Sequence, residues 1–224
     1  MLLSTWGRRL APVPSADGRR PGGLDDTTVH RRHRWHHAGE LVFRIGSQGL
    51  SDARAGAWRR DKTFSAEALD LPHYGTGRAQ GEERVHRLVE ALRCCDGVVL
   101  SSPAYHGAMP GMLKNALDYV EDLRNDARPY LDGRAVGVIV CANGAQAIGT
   151  TLVAVRSVIH ALRGWPTPMG VGINSAAPAF DVGGTCNDPA VAAALATLAG
   201  QVVDFAEMSG NKRHRQNRTE PALV

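Results

Sequence analysis

A chain of 224 residues, 43% hydrophobic and 21% charged, is long enough for one good core and suits a single α/β domain with extra material at its ends. The net charge of +4 is uneven: residues 1–62 hold 12 Lys and Arg against 6 Asp and Glu, residues 209–224 hold 4 against 1, and the body between is acidic at −5. Basic ends on an acidic body predict solvated tails and no nucleic-acid partner. The absence of an 18-residue apolar run predicts no membrane contact, and four Cys without a CxxC pair predict neither a disulfide framework nor zinc, so a cytoplasmic setting is expected.

Residues 1–62 show little period. Residues 7–24 are rich in Gly, Pro and Arg, and His30–His37 packs four His and three Arg into a run that no helix or strand could bury, so disorder is expected. Within it, Leu41–Ile45 is a short apolar candidate strand leading into Gly46-Ser47. From residue 63 the pattern is regular. Ala79–Arg93 carries Val85, Leu88, Val89 and Leu92 at helical spacing, Asp96-Gly97 breaks that helix, and Val98–Leu100 is a buried strand. Pro110–Leu123 is the next helix, with Met112, Leu113, Ala116, Leu117 and Val120 on one stripe. Asp132–Arg134 is a turn, and Ala135–Cys141 is a continuous apolar strand of the kind covered on both faces. Thr150–Leu162 is a helix ended by Gly164, Met169–Ile173 a further strand, and Pro189–Met208 a long Ala-rich helix, with 209–224 as a disordered basic tail. Strands alternating with helices predict a doubly wound parallel sheet in a three-layer α/β/α domain over residues 63–208, which binds ligands at the carboxyl ends of its strands.

Two loops follow such ends. One, Ser101–Gly107, reads Ser-Ser-Pro-Ala-Tyr-His-Gly and continues through Met109, Pro110, Gly111 and Leu113-Lys114-Asn115 to Asp118; the other is Ala142–Gly149. Glycine in both lets backbone amides approach a ligand closely. The first resembles the flavin loop of the NADPH-dependent FMN reductase family, roughly S-P-x-Y-x-G-x-x-P-G-x-L-K-N-x-x-D, and the resemblance covers about residues 69–175. It implies a flavodoxin-like fold, bound FMN, and NADPH as hydride donor. It also implies a small-molecule electron acceptor such as a flavin or quinone, and a homodimer or homotetramer. The residues it points to as cofactor-binding are Pro103, Ala104, Tyr105, His106, Gly107 and Met109 in the first loop, with Asn143, Gly144, Ala145 and Gln146 in the second. Hydride transfer to a flavin needs no protein acid or base at its first step, so no catalytic residue is assigned and His106, where the family often has Asn, is read as pocket wall. Lys114 and Asn115 are read as organising a loop or an interface. Arg163–Pro166 resembles a family segment near the subunit contact, though a buried Trp under a loop fits equally well. Cys141 and Cys186 are read as inert thiols, and Asp118, Glu121 and Asp122 as a solvated face with no metal. Two other functions stay open: a flavodoxin-type electron carrier without NAD(P)H chemistry, and a cofactor-free interaction protein.

The family's phosphate loop, roughly G-[GS]-x-x-R-x-x-S, is missing. The candidate Gly46–Ser51 lacks the arginine, and only 16 residues separate Gly46 from Lys62, too few for a loop, a covering helix and a returning strand. A change of reading frame accounts for this. Shifted forward by one nucleotide, Asp25-Asp26 permits ATG, Trp35-His36 must give Gly, and Glu40-Leu41 gives Asn or Ser. A consistent codon choice over 25–49 yields MTPPFIVGIGGTTRGNSSSESALR, and Arg60–Ser65 permits ETRLFS, rejoining the written frame near Ser65. On this reading residues of about 25–63 are frame-shifted, and the chain as written lacks a working phosphate site and binds FMN poorly or not at all.

Overall fold

The computed structural model describes residues 40–45, 60–78, 81–181 and 186–219; the disorder and frame shift expected for 1–39 and 46–59 lie outside the described residues. Ten elements follow in order. They are β1 (Glu40–Ile45), β2 (Arg60–Phe64), a short α1 (Ala66–Leu69), α2 (Glu83–Cys94), β3 (Gly97–Pro103), α3 (Gly111–Asp118), β4 (Ala135–Ala142), α4 (Ala145–Ala161), β5 (Trp165–Asn174) and α5 (Pro189–Thr219). A 3₁₀ segment, Tyr119–Leu123, continues α3.

The strands form one sheet in the order β2-β1-β3-β4-β5. β3, β4 and β5 are parallel, with Val98 opposite Val136 and Ile139 opposite Val171. This is the predicted doubly wound arrangement, and each connection passes through a helix that packs back on the sheet. The expectation of a wholly parallel sheet fails at one edge. β1 runs antiparallel to both neighbours, with Leu41 opposite Leu100 and Arg44 opposite Gly97 on one side and Leu41 opposite Phe64 on the other. β1 and β2 are therefore an antiparallel pair at the edge of the sheet; the residues that join them, 46–59, lie outside the described residues.

β4 is buried along Ala135–Val140, which is why its sequence is apolar without alternation. One face of the sheet presents Val98, Leu100, Val136, Val138 and Val140 to α2, α3 and α4, whose Leu88, Leu113, Val155 and Ile159 complete the main core. The other face presents Ala135, Ile139, Val171 and Ile173 to α5 alone among the described helices. Both faces use missing side chains to bring helices close. A Cβ on Gly137 would come within 2.5 Å of Leu198 on α5, and one on Gly172 within 2.6 Å of Ile148 on α4.

Several element ends differ from the sequence expectation. α4 begins at Ala145, so most of the predicted second loop is helix; Gly144, with no side chain, occupies its N-cap. α5 starts where the Asp188 carboxylate accepts the amides of Ala190 (2.9 Å) and Val191 (3.2 Å), with Pro189 in the first turn. It runs to Thr219, past the expected end at Met208, so residues 209–219 are helical and not a disordered tail. By length and composition Pro189–Lys212 is apolar enough to cross a membrane, with a mean hydropathy of 1.4, although polar residues interrupt any unbroken apolar run. Its Leu195, Leu198 and Val202 pack on the sheet, and Ala206 further along the helix is buried.

Candidate cofactor site

Parallel pairing carries the backbone past the end of β3, where the Ala104 amide donates to the Cys141 carbonyl at 2.9 Å. Pro103 is buried, and Ala104 and Met109 pack against the main core. The chain then reverses in a two-residue turn. His106 (φ 51°) and Gly107 (φ 79°) both take left-handed backbone, and the Ala108 amide closes the turn on the Tyr105 carbonyl at 3.0 Å. Glycine adopts that conformation without strain, whereas histidine is held there at some cost. Tyr105 stands at the rim, 38% exposed, and burial of the rest of the ring raises its phenol above the ordinary tyrosine value. At the tip, the amides of His106 and Gly107 have no backbone partner among the described residues.

The second segment lies beside it. Asn143, Gly144, Ala145 and Gln146 are all exposed. The first amides of a helix have no carbonyl a turn earlier to accept them, and Gly144 cannot cap them, so Ala145, Gln146 and Ala147 point outward as donors at the positive end of the α4 dipole. Asn143 is oriented from β5, where the Ser175 hydroxyl donates to its Oδ1 at 2.6 Å, and the Ser175 amide donates to the Ala142 carbonyl at 3.0 Å. Cys141, just beneath, is a partly buried thiol whose ionisation burial suppresses.

The structure therefore brings the two predicted groups together, but not with equal roles. Tyr105, His106, Gly107 and Asn143–Gln146 present surface at the strand ends. Pro103 and Met109 turn inward, and the Ala104 amide, expected to be free for a ligand, is already used. Residues not singled out in the sequence tie the site together. Thr150 reaches the Gly107 carbonyl at 3.1 Å, and Ser175 holds Asn143. Neither stands out by type or spacing, because both depend on which helix and strand become neighbours.

Lys114 and Asn115, expected to organise the loop before their helix or an interface, make other contacts. Lys114 pairs with Asp118 one turn along α3. The Asn115 amide group donates to the carbonyls of Leu71 (3.2 Å) and Pro72 (3.0 Å), and its Oδ1 accepts the Tyr74 amide (2.9 Å). The loop it organises is thus the distant Leu71–Tyr74 segment. Glu121 pairs with Arg124, and the described residues contain no cluster of three His, Cys, Asp or Glu side chains fit for a metal. Trp165 is 58% exposed and leans on Phe205 with ring centroids 5.3 Å apart, so it is not a buried Trp under a loop. A cavity of about 450 Å³ lined by Glu82, His86, Arg93 and Asp122 flanks α2 and shares no residue with the strand-end loops.

The candidate phosphate loop Gly46–Ser51 lies outside the described residues, but the direction of β1 bears on it. Arg44 pairs with Gly97 and Glu40 with Ser101, so β1 ends beside the amino end of β3. That is roughly 20 Å from the Tyr105 loop, the length of the seven-residue β3.

The family profile for NADPH-dependent FMN reductases matches residues 62–178. An NADPH azoreductase of Bacillus sp. (strain OY1-2) is 46% identical over 52 residues, 23% of this chain and 29% of that protein. A quinone reductase of Escherichia coli (strain K12) is 40% identical over 57 residues, 24% of this chain and 30% of that one. The matched segments thus span less than a third of either relative. Among solved structures, FerB of Paracoccus denitrificans, a flavoenzyme NAD(P)H:(acceptor) oxidoreductase, aligns at 27% identity over 64% of this chain and 78% of its own, with a TM-score of 0.48. With the profile covering the Tyr105 loop, β4 and β5 together, the chain belongs to the NADPH-dependent FMN reductase family.

Proposed function

We propose that the domain is an FMN-dependent NAD(P)H oxidoreductase passing electrons from NADPH to a small acceptor, a flavin or a quinone. The observation that carries this reading is the pair of exposed backbone segments, Tyr105–Gly107 and Asn143–Gln146, held side by side at the carboxyl ends of β3 and β4. Their donors fit the hydrogen-bonding edge of an isoalloxazine ring. Tyr105 offers apolar surface beside it, and the α4 N-terminus favours negative charge there. When bound, FMN supplies the hydride-accepting chemistry. The chain's own residues position the ring and leave a face open, and no side-chain acid or base is assigned. Assembly into a homodimer or homotetramer is part of this proposal, as the family resemblance implies.

One observation favours a second reading. β1 runs antiparallel to β3, and among the described residues no strand is positioned to deliver a phosphate loop, as a cofactor-free interaction protein would not need to. The test is NADPH oxidation by the purified chain with saturating FMN and a soluble quinone, followed by the loss of NADPH absorbance. Quinone-dependent oxidation well above the protein-free rate supports the oxidoreductase. Flavin retained through gel filtration without that oxidation identifies a carrier, and neither binding nor oxidation identifies the cofactor-free protein.

A further inference from the structure

We propose that Thr150 is a positioning residue for the flavin ring, a latch that fixes the Tyr105–Ala108 turn against α4 and so sets the spacing between the two cofactor segments. The inference rests on the flavin reading above and adds a residue to it. The Thr150 hydroxyl lies 3.1 Å from the Gly107 carbonyl, 43 residues away in sequence, and also 3.0 Å and 3.2 Å from the carbonyls of Gln146 and Ala147 in its own helix. A hydroxyl has one proton to give. The Gln146 and Ala147 carbonyls already accept backbone amides in the α4 ladder, whereas the Gly107 carbonyl has no backbone donor among the described residues. Satisfying Gly107 therefore gains most, and the proton belongs there.

The approach is close as well as polar. A Cβ on Gly107 would meet the Thr150 Oγ1 at 3.2 Å, and φ of 79° already disfavours a side chain there. Glycine at the turn tip and threonine on the second turn of α4 thus form one joint. The base of the turn is held separately, by the Ala104 amide on Cys141 and by Ala104 and Met109 packed on the core, and the Ala108 amide closes the turn on Tyr105. Loosening the tip would shift the His106 and Gly107 amides relative to Asn143–Gln146, and ordering it again would weaken ligand binding.

The test compares the full chain with Thr150→Val, which keeps the shape and loses the proton, and with Thr150→Ser, which keeps the proton. Amide hydrogen exchange of the free protein should speed up about 3- to 10-fold in the 103–109 segment of Thr150→Val, with peptides from α2 and α5 unchanged, while Thr150→Ser matches the parent. Riboflavin and FMN, titrated as probes, should bind Thr150→Val about 3- to 10-fold more weakly and Thr150→Ser within two-fold of the parent. Unchanged exchange in Thr150→Val, unchanged flavin affinity, or failure of Thr150→Ser to restore both, overturns the latch. Failure of the parent chain to bind either flavin instead overturns the flavin reading and, with it, the role given to Thr150; the exchange data then judge the Gly107 contact alone.

Discussion

Arg134 is 1% exposed, and its guanidinium is spent on main-chain carbonyls: Arg93 at 2.8 Å, Cys95 at 3.1 Å and Tyr130 at 3.1 Å. Two of these lie at the end of α2, where the helix leaves acceptors unpaired and concentrates negative potential, so a buried cation is stabilised without a carboxylate. Arg134→Met would strand those acceptors. It should cost about 3–5 kcal/mol in urea unfolding, with Arg134→Lys recovering only part because an ammonium cannot span the same fork. In sequence, Asp132-Gly133-Arg134 reads simply as a turn, since nothing local marks an arginine that caps a helix far behind it. Its neighbour Cys95 gives a pH-dependent prediction. Burial pushes this thiol up to about 11 from an ordinary 9.0, with the Arg134 and Arg128 guanidiniums opposing the shift. The folded chain then keeps a proton that the unfolded chain gives up near pH 9. The stabilisation is complete below that pH and is lost as pH climbs through about 11, at about 1.4 kcal/mol per pH unit. Tyr74, Tyr105 and Tyr119 shift in the same direction, so the comparison must be with Cys95→Ala. Urea midpoints between pH 8.5 and 10.5, roughly the window set by the thiol's two values, should fall more steeply for the parent than for the variant.

Asn115 ties one element to another. On the flank of α3 it uses both ends of its amide on the Leu71–Tyr74 loop, and the Tyr119 hydroxyl adds a 2.8 Å bond to the Pro72 carbonyl. Asn115→Asp keeps an acceptor for the Tyr74 amide but sets a carboxylate against the carbonyls of Leu71 and Pro72. It should therefore destabilise at least as much as Asn115→Ala, about 1–3 kcal/mol, with faster exchange at Tyr74 in Asn115→Ala, which alone loses the acceptor. Equal stability of Asn115→Asp and parent would remove this clamp from the fold. The helix-strand alternation around α3 was legible because its apolar residues repeat at 3.6 and those of β3 and β4 run unbroken between turn signals. Element ends were less so. α4 begins earlier than predicted because Gly144 serves as its N-cap, and α5 continues through a charged stretch because a helix once nucleated on packed Leu195 and Leu198 can propagate outward. The Tyr105–Gly107 loop was found from its residues. Thr150 and Ser175 were not, because their partners are fixed only when β3, β4 and β5 align.

The described domain is lopsided, and the reading-frame hypothesis accounts for the lopsidedness. A doubly wound sheet needs helices on both faces, yet α2, α3 and α4 cover one and α5 alone covers the other. Only 22% of the apolar window in α5 is buried, and Met208 is 63% exposed, as expected of a helix with no second helix beside it among the described residues. The frame-shifted reading of residues 25–49 supplies a strand, a Gly-Gly turn with Thr-Thr-Arg, and a serine-led helix. A strand from that reading, placed parallel beside β3, would deliver the turn to the carboxyl edge where Tyr105 lies and the helix to the open side of α5. The written β1, running antiparallel, does neither. Comparing FMN with riboflavin isolates the phosphate. On the proposed reading the loops at Tyr105 and Asn143 would meet only the ring that the two ligands share, so the written chain should bind the two within about two-fold of one another. A chain carrying the restored string should prefer FMN by about 100-fold or more, the contribution of two or more charge-assisted hydrogen bonds to the phosphate. Genomic codons for residues 25–63 that do not permit the string, or a strong FMN preference in the written chain, would reject the frame hypothesis. In the second case residues 1–59 would have to supply the phosphate site by a route other than β1.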